Sequence, residues 1–390
     1  MHPFRALCVS VVQTTINKTT EARKIQRLNG EKQMNHPFSS GSLRLCGSKP
    51  QAKIRSQPMP TLYIQEQGVM VRKRDNQVLV TRDGQTLHDV PLAKIDQVVL
   101  MGRGVQISTA LLIDLLERGI PVTLTNQHGS RHYATLTAGP SRFGDLRTGQ
   151  MQYVNTPSRA LELARAIVIV KLTNQRRLLA TTGWPAAASA MQQIDAALTA
   201  ASQAQNVDIL RGHEGAAAAA YFGAWRASLP PAWGFGGRAF YPPPDPINAM
   251  LSFGYTLALH DVITAVQITG LDPYLGTFHV IETGRPSLAL DLLEEFRPVI
   301  VDRMVLDIVR TNAIGRERFH RPQERPEAVY LDAEGRAFLV QRYETLLQTK
   351  VRLPGGEQTP MRRVILLQAQ AIARVLRGEQ ERYTGFSLNS

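Results

Sequence analysis

Only two cysteines occur in 390 residues, Cys8 and Cys46, and both fall within the first 58. From residue 59 onward there is no thiol, which excludes a disulfide scaffold or a thiolate metal site there. Such cysteine usage suits a reducing, cytoplasmic compartment. Long apolar runs are also missing. None approaches the roughly 18 residues of a membrane span, and the best stretch, Ala164 to Leu172, is short and carries Lys171. A soluble protein is expected. His213-Glu214 is followed by Gly-Ala-Ala, so the HExxH pattern of zinc proteases is absent. No internal repeat is visible.

Charge of one sign is plentiful, but it is unevenly placed. The net charge is +13. Residues 1–58 hold ten basic side chains (Arg5, Lys18, Arg23, Lys24, Arg27, Lys32, Arg44, Lys49, Lys53, Arg55) against Glu21 and Glu31. Most of the excess therefore sits in a segment rich in Ser, Gly and Pro with no periodic pattern. It reads as a disordered basic extension, with Met59 as an alternative start. A DNA-binding arm and an organelle-type transit peptide are the competing readings. The rest of the chain is mildly basic, which is compatible with a phosphate-rich partner but does not identify one. Apolar content of 43% is that of a globular protein long enough for two domains.

From Thr61 the texture changes. "TLYIQEQG", "VMVRKRDNQVLVTRDG" and "QTLHDVPLAKIDQVVLMG" alternate apolar and polar residues, many of them β-branched, between Gly and Asn/Asp turns. That pattern predicts short antiparallel strands and hairpins. "STALLIDLLERG" predicts one helix capped by Ser108 and ended by Gly119. "IPVTLTNQHGSRHYATLTAG" returns to strand, with a turn at His128-Gly129-Ser130. Residues 59–142 thus read as a small β domain and 143–390 as a larger helical domain. The helical stripe Leu161, Ala164, Ile167, Val168 is followed by Arg176 and Arg177. Asp245-Pro246 starts a long helix, and "AVYLDAEGRAFLV" reads as a short hairpin.

Three groups could carry chemistry. On a helix, Glu214 shares a face with Ala218, Tyr221 and Trp225. A carboxylate there is costly unless cations or a metal receive it; the plainer reading is a partly exposed Glu favoured by the helix dipole. Asp291 and Glu294 are three apart in "GRPSLALDLLEEFRP", so they project from one helical surface and repel unless a cation or a shared proton intervenes. The plainer reading is a solvated acidic face, with Glu295 pairing with Arg297. His279 closes "GLDPYLGTFH" and could be a ligand or a structural donor. Glu214, His279 and Glu294 together offer two hard oxygens and one nitrogen, a set suited to Mg²⁺ or Mn²⁺. Such an ion supports phosphodiester chemistry.

Five stretches carry a resemblance: "VQISTALLIDLLERGIPVTLTNQHG", "HEGAAAAAYF", "RAFYPPPDPINAMLSFGYTLAL", "GLDPYLGTFH" and "GRPSLALDLLEEFRP". In that order they resemble the CRISPR-associated endonuclease and integrase family that inserts new spacers, the Cas one family. The likeness covers residues 59–390 and leaves the N-terminal extension unmatched. It departs at Thr277 and Phe278, where the family often has bulkier apolar residues, and in an extra tail.

The resemblance implies an α+β chain, with a β-sandwich-like N-terminal domain before an all-α catalytic domain. It implies metal ligands at Glu214, His279 and Glu294, an assisting Asp291, and Arg238, Asn248, Ser252 and Tyr255 near the site. The implied reaction is attack of a DNA 3′-hydroxyl on a phosphodiester at a repeat boundary. The implied partners are double-stranded DNA, a second copy of the chain, and the small Cas two companion. Arg176, Arg177 and Arg285 are candidate DNA contacts, and affinity should fall steeply with salt. A structure-selective nuclease, a non-catalytic DNA-binding scaffold, and a covalent mechanism through Tyr255 or Tyr221 remain as alternatives.

Overall fold

The computed structural model describes residues 61–127, 132–137, 143–239, 242–353 and 356–387. The expectations for residues 1–58, for the turn at His128–Ser130 and for a domain boundary at 142 lie outside the described residues. Strands come first: β1 (Thr61–Ile64), β2 (Val69–Arg74), β3 (Gln77–Arg82), β4 (Gln85–Pro91), β5 (Gln97–Met101) and β6 (Val105–Ile107). Helix α1 (Thr109–Glu117) precedes β7 (Val122–Thr125) and β8 (His132–Leu136). The Ser108 hydroxyl accepts the Leu111 N–H, and Gly119 takes φ +72°, so both ends of α1 form as their residues dictate.

Two four-stranded sheets result, ordered β1-β5-β7-β8 and β4-β3-β2-β6. The hairpins β2–β3 and β3–β4 are antiparallel; Asp83 and Gly84, both at positive φ, make the second turn. Other pairings depart from the expected hairpin pattern. Strand β5 runs parallel to β1 and β7, and β2 runs parallel to β6. Parallel neighbours come from distant sequence, so local alternation cannot reveal them. The first sheet is covered on both faces. Leu62, Ile64, Val98 and Leu100 point into a core shared with Val71, Val78, Val80 and Leu111, while Tyr63, Val99 and Met101 point toward the helices. Burial on both sides explains why "QVVLM" reads as a continuous apolar run.

The helical part comprises α2 (Gly144–Val154), α3 (Pro157–Ala180), α4 (Pro185–Ser202), α5 (Val207–Ser228), α6 (Pro246–Thr269), α7 (Ser287–Phe296) and α8 (Arg303–Arg310). After them come β9 (Phe319–His320), β10 (Tyr330–Leu331), α9 (Ala333–Gln348), β11 (Lys350–Arg352), β12 (Gln358–Pro360) and α10 (Met361–Leu376). The chain is therefore mixed α+β with strands first and helices after, and two small two-stranded pieces interrupt the expected all-α part. The hairpin expected in "AVYLDAEGRAFLV" does not form within that stretch. Tyr330–Leu331 pairs with Phe319–His320 upstream, and Asp332 accepts the Gly335 N–H at 2.6 Å to start α9.

Helix α6 is the centre of the helical part. Asp245 accepts the Asn248 N–H at 2.8 Å and Pro246 occupies the first turn, as the sequence leads one to expect. By length and composition it could cross a membrane, although polar residues such as Asn248, His260 and Asp261 interrupt its apolar run. Its most apolar window is, however, 78% buried within the protein. Between α7 and α8, Arg297–Asp302 winds as a π-helical turn.

Candidate active site

Two helices and one loop carry the implied ligands. Glu214 lies on the third turn of α5, Glu294 near the end of α7, and His279 on the loop between α6 and α7. What joins them was not anticipated. The ammonium of Lys171, on α3, lies 2.5 Å from Glu214 Oε1 and in contact with Glu294 Oε2. His279 Nε2 is 3.7 Å from Glu294 Oε1, which also receives Arg297 Nε–H at 3.1 Å.

The acids of α7 are not a solvated face. Asp291 and Glu295 are fully buried, and Glu294 is 4% exposed. Burial alone would push the Glu294 carboxyl up, but Arg297 and Lys171 override it and hold the group well below its ordinary value. For Lys171, burial works against the charge, yet the two glutamates raise its pKa above the ordinary value. Glu295 does not pair with Arg297. It faces the opposite way, accepting the Tyr383 hydroxyl and the Phe386 N–H, and burial pushes it up to about 7. Gly385 packs so close to this carboxylate that an added Cβ would sit 2.8 Å from Glu295 Oε2.

Asp291 organises the histidine. Its carboxylate accepts the backbone N–H groups of Thr277, Phe278 and His279 at 2.6, 2.9 and 2.8 Å, and lies 2.7 Å from His279 Nδ1. With Asp291 already an acceptor for three donors, the shared ring proton belongs on Nδ1. In the neutral ring Nε2 then carries the lone pair, and it faces Glu294. The loop must lie flat on α7 for this. An added Cβ at Gly276 would come within 2.5 Å of the Ser287 carbonyl carbon and 2.7 Å of Asp291 Oδ2. Arg211, one turn before Glu214, donates to the Phe278 carbonyl through Nε and Nη2, which ties the Glu214 helix to the His279 loop.

Of the other expected residues, Arg238, Asn248, Ser252 and Tyr255 form one cluster. Arg238 donates to Asn248 Oδ1 at 2.9 Å and to Ser252 Oγ at 3.3 Å. The Tyr255 ring lies between two guanidinium groups, 4.4 Å from that of Arg297 and 5.4 Å from that of Arg238. Through Arg297 the cluster reaches Glu294. Tyr255 and Tyr221 both donate to Asp302, at 2.5 and 3.0 Å. Burial pushes both phenols well above their ordinary pKa, which disfavours a free phenolate at either. Asp302 itself is pushed up to about 6 by burial. Arg176 and Arg285 are not at the site: they form ion pairs at the surface, with Asp195 and Glu282. Arg177 has a partner of its own.

Lys171, Arg297 and Arg211 were missed as site residues. Lys171 carried a signal, because it continues the buried stripe of Ala164, Ile167 and Val168 by the same three- or four-residue step. Arg297 stands three after Glu294, within reach on the same face.

The donor set fits a hard divalent cation in chemistry: two carboxylates and an imidazole, with no sulfur. Glu294 Oε2 is buried without a hydrogen-bond partner, the kind of orphan atom a metal would satisfy. As the side chains stand, a lysine ammonium lies between the carboxylates. Among the described residues no three His, Cys, Asp or Glu side chains form a ready coordination group.

Known proteins resemble this chain over most of its length. The chain is 36% identical over 328 residues to the CRISPR-associated endonuclease Cas1 1 of Thermus thermophilus, covering 84% of this chain and 99% of that protein. Its fold is similar to that of a casposase bound to integration product, with TM-score 0.73 and 20% identity over 85% of this chain and 96% of that one. It is also similar to a Cas6-RT-Cas1–Cas2 complex, with TM-score 0.71 and 22% identity over 88% of this chain and 37% of that one. The family model for CRISPR associated protein Cas1 matches residues 62–345, and with it the chain belongs to the Cas1 family.

Proposed function

We propose that this protein is a divalent-metal-dependent DNA endonuclease and integrase. In this reading it joins short DNA fragments to a CRISPR repeat array by transesterification, the fragment's 3′-hydroxyl displacing the 3′-oxygen of the broken phosphodiester. Glu214, Glu294 and His279 Nε2 would hold Mg²⁺ or Mn²⁺. When bound, that ion would polarise a non-bridging phosphate oxygen and stabilise charge on the attacking and leaving oxygens. Asp291 fixes the imidazole with Nε2 toward Glu294, so the nitrogen donor needs no reorientation. Arg297, held between Glu294 and the Tyr255 ring, adds fixed positive charge where a phosphate would approach.

The observation that carries this reading is that Glu214 and Glu294, eighty positions apart in the chain, grip one cation with His279 beside them. Double-stranded DNA, a second copy of this chain and a Cas2 protein are the proposed partners, acting in the cytoplasm. The fold shared with a casposase on its integration product and with a Cas1–Cas2 complex supports them. A structure-selective nuclease that does not join ends is the second reading, favoured because the relatives are named endonucleases.

The deciding experiment incubates the protein, its Cas2 partner and Mn²⁺ with a repeat-bearing plasmid and fragments ending in 3′-OH or 3′-dideoxy. Joining that needs the 3′-OH and is lost in His279→Ala supports integration. Cleavage without joining favours the nuclease. Activity unchanged in His279→Ala rejects the site.

A further inference from the structure

The position between the two glutamates is held by a side chain of the protein itself. We propose that Lys171 is a built-in stand-in for the divalent cation: its ammonium holds Glu214 and Glu294 together before metal binds, and metal entry requires it to leave. The inference rests on the proposed metal site.

Four observations support it. The ammonium touches one oxygen of each glutamate, the same two side chains that would ligate the ion. Lys171 is 8% exposed and comes from a third helix, so it is not a surface side chain that happens to lean in. Glu294 is buried and Glu214 half-buried, and facing each other without a cation they would repel and carry a desolvation cost; the ammonium offsets both. Finally, the contact with Glu294 is incomplete. Glu294 Oε2 lies against the ammonium yet has no hydrogen bond of proper geometry, so this oxygen is neutralised but not saturated.

A lysine suits the role better than an arginine. Its flexible stem carries one compact charge that can withdraw as a unit, whereas a guanidinium would fork across both carboxylates. An ammonium and a divalent ion cannot both lie between Glu214 and Glu294. Lysine and metal therefore compete, and the metal affinity of the parent protein is lowered by the fraction of time the lysine is in place. A lysine that merely supported the fold, or that assisted metal binding from one side, would predict the opposite response to its removal.

The test measures Mn²⁺ binding by isothermal titration calorimetry, together with melting temperature with and without Mn²⁺, on the full chain. Lys171→Met removes the competitor. It should bind Mn²⁺ at least tenfold more tightly than the parent, melt lower than the parent without metal, and recover the parent's melting temperature with it. Lys171→Arg keeps a charge that leaves less readily and should bind Mn²⁺ at least tenfold more weakly. If Lys171→Met folds only when Mn²⁺ is present throughout purification, the expected metal-dependent rescue is already seen, and Lys171→Arg supplies the affinity comparison. Equal or weaker Mn²⁺ binding by Lys171→Met, or unchanged binding by Lys171→Arg, overturns the competition while leaving the metal site intact. A parent protein that binds no Mn²⁺ overturns both.

Discussion

Among the described residues, two arrangements place a basic side chain between two carboxylates, and they are built differently. In the first, Arg362 of α10 lies 2.6 Å from Glu344 and 3.6 Å from Asp261. The Tyr63 hydroxyl donates to Glu344 and the Tyr343 hydroxyl donates to Asp261. This cluster ties β1 to α6, α9 and α10, and Arg362 also reaches the Thr61 hydroxyl. In the second, Lys171 lies between Glu214 and Glu294, and among the described residues no tyrosine donates to either.

Each leaves one carboxylate oxygen without a hydrogen bond, Glu344 Oε2 and Glu294 Oε2, but only that of Glu294 lies against its cation. A forked guanidinium with phenol donors locks a joint in place. At the other cluster a single ammonium meets both acids, while Arg297 and His279 lie against Glu294. Burial of charge by itself does not mark a functional site.

Four substitutions would break or sharpen this contrast. The largest stability effect is expected from Arg362→Met, which strands two buried carboxylates. Loss of one partner of such a cluster costs about 3–5 kcal/mol, to be read from urea unfolding, while activity per folded molecule persists. Glu214→Ala should do the reverse. Fragment joining should fall by more than the roughly 100-fold that marks loss of an outer-shell partner, with the unfolding midpoint shifted far less than in Arg362→Met. Parallel losses of stability and activity in both variants would mean that the clusters do not differ in kind.

Asp291→Asn keeps the size but supplies a poorer acceptor for His279 and its loop. Mn²⁺ affinity or joining should drop about 10–100-fold, measured by calorimetry and the plasmid assay. The smallest effect belongs to Tyr343→Phe, which removes one donor from Asp261. A loss of about 1–3 kcal/mol is expected, with joining unchanged. A stability equal to the parent's would show that Asp261 is satisfied by Arg362 alone.

How much of this was legible depended on whether a feature is local. Ser108, Asp245 and Gly119 act within one turn, and the helix ends they mark are where the sequence put them. The three-residue spacing of Asp291 and Glu294 did place them on one surface. Spacing could not say that Asp291 turns to the His279 loop, Glu294 to Lys171 and Arg297, and Glu295 to Tyr383. Those outcomes depend on which element packs on each side of α7. The parallel strands β1, β5 and β7 were hidden for the same reason, since their partners lie tens of residues away. Lys171 was hidden by its chemistry: a lysine in an apolar stripe reads as an interruption until its two acids, from α5 and α7, are placed beside it.

The wide turn at Arg297–Asp302 has a bearing on how this chain tolerates changes in length. Five-residue bonding stacks Arg297 and Asp302, five apart, on one side, so the first lies over the Tyr255 ring while the second takes its hydroxyl. Deleting a single residue there would tighten the coil to ordinary pitch and turn Asp302 away from both tyrosines, with every ligand still present upstream. The helical segment beyond the site is thus indexed to it by a count of residues, and a one-residue slip would cost more than most substitutions.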